Sequence, residues 1–238
     1  MRYTRTLLCG LLGSMILGLT FASAAQDNLL KYAKWTYLHP ANGVDPADGK
    51  PDFHEQFFQI KFDDQTWQKP PPESHPTIGF SYGQPVDDGG PAKDQPLDLG
   101  KPADVKHRMS AYVRVRFELP VAHGKLVFKC QRDDGLIIYL DGKEIARDNV
   151  GDGDEAYDLF AKRTISGEDE QTIHSYPLKA PLSAGEHLLA ISLHNRGGGS
   201  SDLSLGAISL EEKSTADVAE DEDVADDDTE NSNGRKNR

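Results

Sequence analysis

Adjacent carboxylates at Asp133 and Asp134, set in Arg132-Asp133-Asp134-Gly135, are the most chemical feature of the sequence. Two such side chains bring hard oxygen ligands close together, a donor set that suits calcium. Asp is also favoured in turns, where its side chain bonds nearby backbone N–H groups, and Gly takes positive φ. The same residues therefore read first as a hairpin turn at the edge of a fold, with both carboxylates solvated and ionised, and second as a calcium site. A second group leaves a strand pattern: His194-Asn195-Arg196 runs into Gly197-Gly198-Gly199-Ser200-Ser201-Asp202. Planar hydrogen-bonding groups on such a loop suit sugar hydroxyls; alternatively, Asp202 pairs with His194 or Arg196 across a hairpin. The candidate ligand-binding residues are Asp133, Asp134, His194, Asn195, Arg196 and Asp202. Asp133 and Asp134 are the candidate metal ligands, and calcium is the one cofactor they suggest.

Catalytic patterns find less support. Gly79-Phe80-Ser81-Tyr82-Gly83 matches G-x-S-x-G, which works only on a strand-to-helix turn over an α/β sheet. Here a proline-rich stretch precedes it and Gln84-Pro85 follows, which places Ser81 in coil. His54-Glu55 lacks the second His of a zinc-protease helix. His107, His123, His174 and His187 are scattered without ligand spacing. Asp152, Asp154 and Asp158 begin a calcium-loop frame that fails at Ala156, so 151–175 reads as a solvated acidic loop. Cys130 lies in an apolar alternation and reads as a buried thiol. No catalytic residue is assigned, and the chain is expected not to be an enzyme.

The elements that must position these residues are strands. Val113, Val115, Phe117 and Leu119 form one apolar row, with Tyr112, Arg114 and Arg116 opposite. Leu126, Phe128 and Cys130 form another, followed by Leu136, Ile138 and Leu140, then Leu189, Ile191 and Leu193. This is the period-2 signature of strands with one buried face. Leu203 and Leu205 share one parity and Ile208 and Leu210 the other, so a bulge at Gly206 restores the inward face. Asp134-Gly135 and Asp141-Gly142 are hairpin signals, predicting a three-stranded meander over 125–147. Residues 63–110 read as long surface coil anchored by Trp67, Ile78, Phe80 and Tyr82. One or two helical turns are expected near 28–34 and 154–160. The fold class is all-β, an antiparallel β-sandwich over 26–212.

The ends differ from this body. Arg2 and Arg5, the apolar stretch Leu7–Phe21 and Ala22-Ser23-Ala24 form a signal peptide over 1–25, so the chain is expected to be secreted or periplasmic. Cys9 comes too early for a lipoprotein, because the apolar run follows it. Removing Arg2 and Arg5 takes the net charge from −13 to −15 and leaves Cys130 as the one cysteine, without an intramolecular disulfide. Such a charge is a poor electrostatic match for nucleic acid and disfavours binding to anionic membranes through a basic patch. No membrane span is expected once the signal is removed. Residues 213–238, with nine acids between Asp217 and Glu230, lack the apolar surface to fold and read as a disordered acidic tail.

Several patches recur in order and carry a resemblance. They are Trp35-Thr36-Tyr37, Phe62-Asp63-Asp64-Gln65-Thr66-Trp67, Ile78-Gly79-Phe80 with Tyr82-Gly83, and Tyr112 to Phe117. Arg132 to Glu144 follows, with Arg147 and Asn149, then Leu188 to Asn195 and Ser200 to Leu205. Over about 35–210 the chain resembles the galactose-binding-like jelly-roll module of secreted proteins of Planctomycetes and related bacteria. That module often accompanies metallophosphoesterases and other extracellular enzymes. The resemblance implies a jelly-roll sandwich and a non-catalytic, carbohydrate-binding role, without naming a ligand. The Asp133-Asp134 pair is also locally similar to the calcium-holding pair of yeast adhesin sugar-binding domains. The expected function is an exported binding module for carbohydrate or extracellular polymer. The alternatives are a structural or assembly protein of the cell envelope, or an accessory subunit of a secreted hydrolase. Exposed aromatics lining a groove favour the first reading, and a large flat apolar patch favours the second.

Overall fold

The structure is a computed structural model. It describes residues 27–40, 42–45, 49, 52–82, 95–104, 106 and 108–213. The expected signal peptide, the acidic tail beyond Lys213, and His107 lie outside the described residues. So do residues 83–94, which begin with Gly83, the last residue of the G-x-S-x-G pattern.

The chain folds as a β-sandwich of two five-stranded sheets. The first contains β1 (Lys34–Leu38), β4 (Ser110–Leu119), β9 (Gly185–His194), β6 (Gly135–Leu140) and β7 (Lys143–Asp148), in that spatial order. The second contains β3 (Leu97–Asp98), β2 (Gly79–Tyr82), β10 (Leu203–Glu212), β5 (Leu126–Asp133) and β8 (His174–Pro177). Pairing is antiparallel except between β2 and β3. Successive strands from β4 to β6 and from β7 to β10 cross between sheets, as in a jelly roll. Among the described residues, no helix is long and apolar enough to cross a membrane.

The alternating rows meet between the sheets. Val113, Val115 and Phe117 face Phe128, Cys130, Leu205 and Ile208 in one continuous core. The bulge appears where the parity switch requires it: the β10–β5 register shifts between Gly206 and Ser209, and Ala207 takes φ 48°. Leu203, Leu205, Ile208 and Leu210 are all buried as a result. Asp141-Gly142 is the expected two-residue hairpin between β6 and β7, with φ 50° and 84°.

Other expectations are corrected. The 125–147 stretch is not a meander. Asp134 is a corner at which the chain leaves β5 in the second sheet and enters β6 in the first. Residues 63–110 are not all coil, because β2 lies between β3 and β10, hydrogen-bonded to both. No helix forms near 28–34 or 154–160; turns stand there, and the short helix α1 is at Glu168–Gln171. The polar face expected at Tyr112 and Arg114 is not open to water either. Phe53, Phe57 and Trp67 lay a second apolar layer over the outside of the first sheet, against Tyr112, Tyr139 and Ala190. Strands buried on both faces read as nearly continuous apolar runs, as β6 and β9 do.

Arg114 is fully buried under that layer. Its Nε donates to Asp64 Oδ2 at 2.7 Å, and its guanidinium also donates to the carbonyls of Phe57 and Gln59. Asp64 Oδ2 further accepts from Arg116 Nη1 at 2.6 Å and Thr36 Oγ1 at 2.7 Å. Burial alone would raise the Asp64 carboxyl. The bonds from Arg116, Thr36 and Arg114 outweigh that and hold it down at about 2.

Candidate functional site at the Asp133 corner

Asp133 ends β5 opposite Ser204 of β10, and Gly135 begins β6 opposite His194 of β9. The corner therefore lies where four strand ends and their loops converge. Its acids are not solvated, which corrects the edge-turn expectation: Asp133 is 3% exposed and Asp134 0%. The cause is the 149–165 loop, which folds over the corner. Asn149 Nδ2 donates to the Asp134 carbonyl at 3.0 Å and to the Arg163 carbonyl at 2.7 Å.

Asp134 is a clamp on two loops. Its Oδ1 accepts the Ile165 N–H at 2.6 Å and its Oδ2 the Arg196 N–H at 2.8 Å. Each carboxylate oxygen has room for a second partner after one such bond. Asp133 stands differently. Burial is the main cause that pushes its carboxyl up to about 8, followed by the charges of Asp134, Asp202 and Glu170. Like charges crowd a water-poor place there, the arrangement in which an added cation gains most.

Asn195 supplies the neutral part of the site. Its Nδ2 donates to Tyr82 Oη at 2.7 Å and to the Arg108 carbonyl at 2.6 Å. Its Oδ1 is buried without a hydrogen-bond partner among the described residues, an omission that costs about 1–3 kcal/mol when nothing fills it. Burial pushes the Tyr82 phenol up to about 12, against the pull of the Asn195 bond and Arg108, with Asp202 and Asp133 adding to the rise. Asp202 accepts from Ser201 Oγ at 2.9 Å.

The structure therefore brings together Asp133, Asp134, Asn195, Asp202 and the Arg196 backbone. It does not bring His194 to them. His194 points to the other side of the first sheet, where Nδ1 lies 3.1 Å from Ser110 Oγ and Nε2 2.9 Å from Ser192 Oγ. Strand alternation is the reason, since neighbours on a strand face opposite ways. Glu155 closes this network. Its Oε2 accepts from Ser192 Oγ and Tyr139 Oη, and its Oε1 makes a 3.3 Å ion-pair contact with His194 Nε2. Ser110, His194 and Glu155 have the residue types of a hydrolytic triad, yet Ser110 and His194 are 0% exposed. Ser110 Oγ donates to the Tyr157 carbonyl at 2.8 Å, which commits its hydrogen. The arrangement joins the 149–165 loop to the sheet.

Three neighbours of the site escaped sequence reasoning. His39 stacks on Tyr82 with ring centres 4.9 Å apart, and its Nδ1 bonds the Gly100 carbonyl at 2.7 Å. Burial lowers the His39 imidazole to about 4 despite that bond. Lys101 Nζ sits 5.4 Å from the Tyr82 ring centre. Arg108 completes the group through its carbonyl. No spacing rule links positions so far apart, and only the aromatic character of Tyr82 gave a signal.

The other residues singled out in the sequence lie elsewhere. Ser81 is in β2, not in coil, paired with Ser204 and buried. Cys130 is a buried free thiol whose pKa burial raises. Asp152, Asp154 and Asp158 are exposed. Among the described residues, no group of three or more His, Cys, Asp or Glu side chains is arranged to hold a metal ion. The carboxylates alone therefore do not make a metal site, and Asn195 Oδ1 is a nearby amide oxygen without a hydrogen-bond partner among the described residues.

No protein-family model matches the chain, and no curated protein sequence matches it. Among solved structures it is similar to a calcium-binding mutant of Bacteroides uniformis β-glucuronidase 2, at 14% identity and a TM-score of 0.34. That likeness covers 76% of this chain and 18% of the other. It is similar to a β-glucosidase from Kluyveromyces marxianus at 12% identity and a TM-score of 0.36, over 80% of this chain and 17% of that one. An anti-sigma factor domain-containing protein shares 14% identity at a TM-score of 0.35, over 76% of this chain and 43% of its own. The chain spans less than a fifth of either glycosidase.

Proposed function

We propose that this protein is an exported, non-catalytic binding module for carbohydrate or another extracellular polymer, with a calcium-assisted ligand seat at the Asp133 corner. One observation carries the reading. A buried carboxyl at Asp133 is crowded by the charges of Asp134 and Asp202, and Asn195, whose Oδ1 has no hydrogen-bond partner among the described residues, is bonded to the Tyr82 phenol that feels both Asp202 and Asp133. Asp133 and Asn195 would hold the ion together with the spare lone pairs of Asp134. Calcium would supply a hard centre whose remaining coordination positions accept oxygens such as vicinal hydroxyls. Asp134 positions the Ile165 and Arg196 loops around the seat. Tyr82, stacked on His39, accepts a hydrogen bond from Asn195 Nδ2. The sealed positions of Ser81 and Ser110 support the non-catalytic part of the reading.

The test uses the full chain on a glycan array, with calcium and with chelator, and repeats it with Asp133→Asn. Asp133→Asn leaves the loop clamps of Asp134 in place. Binding that needs calcium and falls in the variant supports the reading. A melting temperature and an array profile indifferent to both chelator and Asp133→Asn would reduce the corner to a buried turn.

A further inference from the structure

A second concave surface lies on the outside of the first sheet, roughly 20–25 Å along β4 from the Asp133 corner. It is a cleft of about 350 Å³ on β1, β4 and β9, within the range of roughly 300–1,000 Å³ typical of small-ligand sites. Tyr32 stands at its rim with 88% of its surface exposed, the most open large apolar side chain among the described residues. Lys31 Nζ sits 5.3 Å from the centre of that ring, and most of the side chain stays open. Leu188 contributes an apolar floor.

The polar lining has an unusual order. Lys34 and Arg116 are directly opposite across β1 and β4, and Glu118 and Glu186 directly opposite across β4 and β9. Like charges in facing positions destabilise a sheet. Here they make a row of donors beside a row of acceptors. Arg116 spends Nη1 on Asp64, so its other guanidinium N–H groups remain for the cleft. An aromatic platform flanked by cationic donors and paired carboxylate acceptors matches a pyranose. The apolar C–H face of such a ring packs on an aromatic side chain, and its neighbouring hydroxyls both donate and accept.

We propose that this cleft is a second, calcium-independent saccharide-binding site, with Tyr32 as the stacking platform and Arg116, Glu118 and Glu186 as the hydroxyl-reading groups. The ligand class follows from the lining of this cleft and not from the Asp133 corner. Together the two sites would let one domain bridge two chains or two stretches of a polymer, so that weak contacts reinforce each other.

The experiment titrates the 15N-labelled full chain, in chelator, with short neutral oligosaccharides of glucose, galactose, mannose and xylose. Amide shifts are expected at Lys34, Arg116, Glu118 and Leu188. Tyr32→Ala should weaken that binding about tenfold or more while the rest of the spectrum overlays wild type. Glu118→Gln with Glu186→Gln should relieve the like-charge pair and raise stability, yet also weaken the saccharide. The proposal is overturned if none of these sugars shifts the cleft amides, or if binding there survives Tyr32→Ala. When the titration is repeated with excess calcium in place of chelator, sugar shifts confined to Asp133 and Asn195 would overturn it too, while sustaining the first site. Shifts confined to the cleft in both conditions would do the reverse.

Discussion

Asp64 and Asp133 are both buried carboxyls, and their surroundings drive them in opposite directions. Asp64 meets Arg114, Arg116 and Thr36, and is held down at about 2. Asp133 meets Asp134, Asp202 and Glu170, and is pushed up to about 8. The first is part of the scaffold that fastens the 53–67 segment to the first sheet. The second is left electrostatically open at the meeting point of four strand ends. Burial alone does not set the behaviour of the two carboxyls; the sign of the neighbouring charges does. The Ser110–His194–Glu155 network belongs with Asp64, because Ser110 Oγ, both His194 ring nitrogens and Glu155 Oε2 find hydrogen-bond partners within the fold.

The largest effect is expected from breaking the closed cluster. Arg114→Met leaves Asp64 buried with a reduced cation supply, and removing one partner of a buried pair costs about 3–5 kcal/mol. Chemical denaturation should show that loss, and Arg114→Met combined with Asp64→Leu should recover part of it. A single variant that unfolds like wild type would mean that the cluster is more open to solvent than its geometry indicates.

The open cluster should respond to a cation by slightly less. Calcium at a hundredfold excess over its dissociation constant should stabilise the chain by about 2.7 kcal/mol, and Asp133→Asn should remove that gain. Thermal melts with and without chelator measure it. An equal calcium gain in Asp133→Asn would move the ion elsewhere.

The two carboxyls should also have opposite pH slopes. The Asp64 carboxyl is lower in the folded chain than its ordinary 3.8. The stability it contributes is present above about pH 4 and lost as pH falls towards 2, by about 2 kcal/mol. Asp133 is raised on folding, so its contribution is present below about pH 4 and lost as pH rises through about 8 when no cation is bound. Asp64→Asn should flatten the limb below about pH 4, and Asp133→Asn the limb between about pH 4 and 8. If one substitution flattens both limbs, the two clusters are coupled.

The smallest effect concerns the closed network on the other side of the sheet. His194→Gln should cost about 1–2 kcal/mol through the weakened support of Glu155, and leave the calcium gain intact. A lost calcium response in that variant would join two regions that strand alternation separates.

Much of the fold was legible because it rests on local periodicity. The rows of β4, β5, β6 and β9, the parity switch repaired at Gly206 and the Asp141-Gly142 hairpin are patterns within a few residues of each other. The Asp133-Asp134 pair and Asn195 also stood out as chemistry-bearing residues. The sequence did not reveal that Asp134 is a corner between sheets and not a hairpin turn, because both use the same turn residues. Nor did it reveal the second layer of Phe53, Phe57 and Trp67, which buries Arg114 on a face that alternation marks as polar. His39 on Tyr82, Asn195 Oδ1 without a partner, and the separation of His194 from Asn195 depend on which distant segments meet. Local pattern determines which face of a strand is apolar. What covers the other face, and which charges then meet out of water, is decided only when the long-range contacts of the sandwich close.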